Sequence, residues 1–71
     1  MNNELKYYYS DLRRDIANAK TARTVKMIVR FGRSYAKRIT KSDCSKSAKK
    51  DALLQYKSLS TLAEHKIKEL E

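Results

Sequence analysis

Six cationic side chains, Arg23, Lys26, Arg30, Arg33, Lys37 and Lys41, recur at three- and four-residue intervals through the middle of the chain. Each residue of an α-helix advances about 100°, so this spacing gathers all six into one sector of ~80°. No Asp or Glu interrupts the series, and Arg38 falls outside the sector, about 60° beyond its edge. A row of fixed positive charges on a rigid element is chemistry for a polyanion. Phosphates of a nucleic-acid backbone recur at spacings that such a row can follow, and neutralising them releases bound counterions. A helix also fits the major groove of duplex DNA or lies along a backbone. The bland alternative is a solvated charged face. An idle surface helix normally mixes signs for salt bridges, and this one does not. The binding residues expected from the sequence are therefore Arg23, Lys26, Arg30, Arg33, Lys37, Arg38 and Lys41, with DNA or RNA as the partner.

Other reactive residue types do not assemble into a site. Asp11 and Asp15 stand one helical turn apart, but two surface carboxylates beside Arg13 and Arg14, without a third ligand, make a poor metal or acid–base pair. Cys44 sits in a polar stretch with no His or acid near it in sequence, and reads as an exposed, incidental thiol. His65 falls on the polar side of its segment. The run Tyr7-Tyr8-Tyr9 suggests base stacking, yet Tyr8 and Tyr9 share an apolar face, so only Tyr7 is expected to be exposed. No nucleophile–base pair, glycine-rich phosphate loop or metal-ligand spacing is present. The expectation is a non-enzymatic protein with no metal and no cofactor.

Charge distribution sharpens the reading of the strip. The chain has 71 residues, 17 Lys and Arg, 8 Asp and Glu, and a formal net charge of +9. Residues 13 to 50 hold 13 of those cations against only Asp15 and Asp43, a net of +11, while both ends are slightly acidic. Such unevenness is a partner signal rather than a solubility device. One cysteine permits no internal disulfide, and one histidine is too few for a structural zinc site of the usual kind. Apolar burial must carry a very small fold, with a homodimer as one way to enlarge the core. No apolar run approaches a membrane span, and Met1-Asn2-Asn3-Glu4 does not read as a signal peptide. With a lone thiol, a reducing cytoplasm is the expected compartment.

The elements that must hold the strip are helices. Proline is absent, Gly32 is the single glycine, and strand-like alternation appears nowhere. A first helix is predicted over residues 3–18, with Leu5, Tyr8, Tyr9, Leu12, Ile16 and Ala19 on one face. The second, 22–40, buries Val25, Ile28, Val29, Tyr35, Ala36 and Ile39 and leaves Met27 and Phe31 past the far edge of the cationic strip. The third, 48–70, carries Ala48, Ala52, Tyr56, Leu59, Ala63, Ile67 and Leu70, with Glu64 and Lys68 as an i,i+4 pair outside. Thr21 is a candidate cap for the second helix, and Asp43, Ser45 and Ser47 are candidates for the third, in a polar connector over 41–47. The fold class is all-α, a single domain over 1–71 built as a small three-helix bundle. One alternative is a long helical hairpin that dimerises, because the apolar phase runs from Ala19 through Ala22 and Val25 without a slip.

A second alternative turns on Gly32. The stretch from Met27 to Ile39, with Phe31-Gly32-Arg33-Ser34 at its centre, resembles the turn of a helix-turn-helix, with Gly closing one helix and Ser34 capping a recognition helix. Lys37 and Arg38 depart from that pattern, standing where an apolar anchor is usual. The favoured reading places Gly32 inside one continuous helix at a close crossing. The expected function is a small basic accessory or regulatory protein that contacts nucleic-acid phosphates through its central helix. The alternative is a regulator that docks the same surface onto a larger protein or nucleoprotein complex. A Lys-rich chain of this length without Trp or Pro is similar in style to small early proteins of tailed phages.

Overall fold

Each periodic segment forms one helix, and the breaks fall where hydroxyl side chains can close a helix end. In the computed structural model, which describes residues 3–71, α1 spans Asn3–Asn18, α2 Ala22–Lys41 and α3 Lys46–Leu70. Among the described residues there is no strand. The break after α1 decides between bundle and hairpin. Thr21 is extended (φ −135°, ψ 151°) and its hydroxyl accepts a hydrogen bond from the Thr24 amide at 3.2 Å. That bond satisfies one of the amide groups left without a partner at a helix start. The Ala19 amide meanwhile closes back on the Ile16 carbonyl at 3.1 Å. The long hairpin is thereby excluded: apolar phase continues across a break as readily as through a helix, and the cap is what ends it.

The second connection is shorter than the polar composition predicts. Ser42 closes α2 by donating through both its amide (3.2 Å) and its hydroxyl (2.7 Å) to the Ile39 carbonyl. Ser45, rather than Ser47 or Asp43, caps α3, accepting from the Ala48 amide at 3.2 Å. Consequently α2 extends one residue beyond the expected end and α3 begins at Lys46, not residue 48.

Burial of the three stripes makes one core. Leu5, Tyr9, Leu12, Ile16 and Ala19 of the first segment meet Val25 and Ile28 of α2 and Ala52, Leu59 and Ala63 of α3, and Ala36 and Ala48 are buried as well. Three alanines on the stripe of α3 keep its backbone close to its neighbours, and Leu59 supplies the bulk between them. Gly32 lies buried inside α2, whose helix runs through it without a break. The helix-turn-helix alternative is therefore corrected. Gly32 is retained for space: a Cβ there would stand 2.5 Å from Leu59 Cδ2, 3.3 Å from Tyr9 Cε1 and 3.4 Å from Leu12 Cδ1.

Tyr9 ties this crossing together. Its ring is fully buried and its hydroxyl donates to the Gly32 carbonyl at 2.7 Å. Tyr35 meets it edge-on, and Tyr8 stacks on Tyr35 with centroids 4.3 Å apart. Burial, reinforced by the neighbouring Tyr8, Tyr35 and Tyr56 hydroxyls, pushes the Tyr9 phenol from 10.0 up to about 12. A phenol harder to ionise in the folded chain stabilises the fold fully below its unfolded value. That contribution is lost as pH rises from 10 towards about 12. An ultraviolet titration should show one of the five tyrosines ionising late and together with unfolding. Tyr9→Phe should remove this late step and lower stability at neutral pH by about 1 kcal/mol, since the Gly32 carbonyl keeps its helical partner.

Candidate functional site

The packing of α2 fixes which way its cations point. Val25, Ile28, Gly32 and Ala36 are buried against α1 and α3, so the helix cannot rotate without exposing its core face. Arg23, Lys26, Arg30, Arg33, Lys37 and Lys41 are all exposed, as is Arg38. The six of the strip follow one another along roughly 27 Å of helix axis at 1.5 Å per residue. Their side chains frame two open recesses. One, of about 390 Å³, is lined by Arg23, Lys26, Met27 and Arg30. The next, of about 310 Å³, is lined by Arg30, Arg33, Ser34 and Lys37. Arg30 is shared, so the two form one run along the helix.

None of these cations is in an ion pair with a carboxylate among the described residues, where the ion pair formed is the exposed Asp11–Arg14 at 3.8 Å. The expected Glu64–Lys68 pair is not made, because helix spacing only permits such a contact and both side chains are free to extend into water. Cations off the strip are used differently. Arg13 donates to Gln55 Oε1 at 2.7 Å and Lys66 Nζ to the Ala17 carbonyl at 3.1 Å. Both join α1 to α3. The positive charges of α2 thus remain available, while two elsewhere serve the fold.

Sequence spacing along α2 did not reveal that α3 extends the same basic face. Lys26 and Val29 share a recess of about 200 Å³ with Ser60, Ala63, Glu64 and Ile67, which turns that sector of α3 toward the strip. Stepping back along α3 by three or four residues from Ser60 reaches Lys57, Leu53, Lys50 or Lys49, and Lys46. At about 100° per residue Lys46 and Lys49 fall within the sector that borders α2, with Glu64 as an acid in it, while Lys50 and Lys57 lie at its outer edge. The missing signal was the rotation of α3 about its axis, which only the α2–α3 packing supplies.

The remaining candidates stand apart. Tyr7 is 71% exposed, whereas Tyr8 and Tyr9 belong to the aromatic cluster. Cys44 is half-buried rather than exposed, with the Ser42 hydroxyl 2.8 Å from its sulfur. His65 and Asp15 are exposed, and no group of three or more His, Cys, Asp or Glu suited to a metal occurs among the described residues. No helix there is long and apolar enough to cross a membrane. Comparison with models of protein families, with curated proteins and with solved structures finds no match. The reading of the site rests on its geometry and charge.

Proposed function

We propose that this chain is a non-enzymatic nucleic-acid-binding accessory or regulatory protein that lays a phosphate backbone along α2. The observation that carries the reading is the strip from Arg23 to Lys41: exposed cations in one sector, framing continuous open recesses and free of carboxylate partners among the described residues. Unlike an idle surface, such a row concentrates positive potential on one side, where it attracts a polyanion over distance and releases its counterions on contact. Lys46, Lys49, Lys50 and Lys57 broaden the same side. Phosphate contacts of this kind position a ligand without reading its bases, so such an interface accepts DNA and RNA alike. A single thiol and no disulfide suit a reducing cytoplasm.

The test is direct binding to labelled DNA and RNA as salt is raised. Affinity should fall log-linearly with salt, with a slope of about −4 on single strands if all six cations engage. Failure to bind either at low salt refutes the reading. A second reading, a regulator that docks on a larger protein, draws support from Leu53 and Leu54, both more than half exposed on α3. Those leucines are also the natural contact for a homodimer. Recovery of one defined protein partner that survives nuclease treatment would favour the second reading.

A further inference from the structure

Resting on the nucleic-acid reading, we infer that the strip takes single-stranded rather than duplex nucleic acid, with Phe31 and Met27 receiving unstacked bases while the α2 cations hold the phosphates. The recess framed by Arg23, Lys26 and Arg30 has an apolar member, Met27. Met27 is 49% exposed, and Phe31, one turn further along the same flank, is 53% exposed. A phosphate backbone alone gives neither side chain anything to do. Met27 borders the strip and Phe31 lies a further 40° or about that round the helix, so a ligand that brings an apolar surface next to its negative charge would cover both while the cations hold it.

A nucleotide with its base turned out of a stack is such a ligand. Aromatic side chains beside a cationic track are the general means of holding single strands, because every base has a π-face and every link a phosphate. In a duplex the π-faces are stacked inside, so its surface meets the cations and leaves Phe31 idle. An acidic amphipathic protein segment combines charge and apolar groups too, but protein interfaces concentrate apolar residues centrally and deplete charge there. Here the order is reversed: charge forms the continuous strip and the apolar pair forms its margin. The flank then ends in Ser34 and Arg38, too short for the apolar anchors at i, i+3, i+4 and i+7 by which a helix seats in a groove.

The experiment compares, by fluorescence anisotropy at low salt, labelled oligothymidine, oligouridine and a blunt duplex of equal length. Single strands of both sugars should bind more tightly than the duplex. Phe31→Ala should weaken single strands by about tenfold, the loss of roughly one stacked base, and leave duplex binding unchanged. Phe31→Trp should restore the single-strand affinity, and Phe31→Leu, which keeps apolar area without a π-face, should not. Phe31 is largely exposed, so each variant should melt like the parent. Equal affinity for duplex and single strand, or an unchanged single-strand affinity in Phe31→Ala, overturns this inference and leaves the phosphate-binding reading standing. No binding to any oligonucleotide overturns both.

Discussion

Replacing Arg30, Arg33 and Lys37 together by Ala will reduce nucleic-acid binding to near background without loss of helix. These three line the run of recesses at the centre of α2, so the substitution divides the strip into two short ends. Each neutralised phosphate contact contributes about 0.7 to the salt slope on single strands, so losing three should reduce that slope by about 2. Between about 50 and 200 mM salt the parent should then lose on the order of two orders of magnitude in affinity, and the variant only about one. The fold should not suffer, because all three side chains are exposed and Ala is the best helix former. Relief of mutual repulsion should leave the melting temperature unchanged or higher. A control separates position from net charge: Lys6 and Arg14, exposed on α1 and off the basic face, changed together to Ala remove two formal charges against three. If that variant loses as much affinity as the first, general charge attracts the ligand and the strip is not the site.

The strip was legible because one helix carries it. Spacing along α2 is enough to place Arg23 to Lys41 in one sector, and nothing from the other helices is needed. The same holds for α1, whose bounds follow from its own apolar stripe, and for Thr21, a β-branched hydroxyl residue at the point where a cap was required. What could not be read was relational. Lys46, Lys49, Lys50 and Lys57 join the basic face through the way α3 is turned against α2, and α3 is apolar over a wide arc that admits several rotations. Gly32 shows the same limit from another side. Glycine between Phe and Arg-Ser is compatible with a helix end or a tight crossing, because the local chain tolerates both. The choice is made by Leu59, Tyr9 and Leu12, all distant in sequence. Ser45 prevailed over Ser47 as the cap of α3, a two-residue difference that composition does not resolve.

Gly32→Val should be among the most damaging single substitutions in the molecule. The first added atom already falls 2.5 Å from Leu59 Cδ2, and Leu59 is fully buried, so its terminal methyl must shift within the core to admit it. Two γ-methyls add to that conflict and push against Tyr9, whose hydrogen bond to the Gly32 carbonyl depends on close approach. Overpacking of this kind costs about 1–3 kcal/mol, and a loosened Tyr9 bond about 1 more. A domain of this size has only about 4–10 kcal/mol in hand. At about 4–8 °C per kcal/mol, the melting temperature should fall by roughly 10–30 °C. Gly32→Ala should be far milder, since about 1 kcal/mol of gained helix propensity opposes the clash of a single methyl. The decisive measurement is a double-mutant cycle with Leu59→Ala, which alone leaves a cavity and costs about 2–5 kcal/mol. Valine at 32 would occupy part of that cavity, so the double variant should be at least 1 kcal/mol more stable than the two costs added. Strict additivity would mean that Gly32 and Leu59 do not meet. Gly32 is on the buried face of α2, whereas Arg30 and Arg33 are exposed, so the substitution alters no cation of the strip. Variants at Gly32 that remain folded should therefore bind nucleic acid as the parent does.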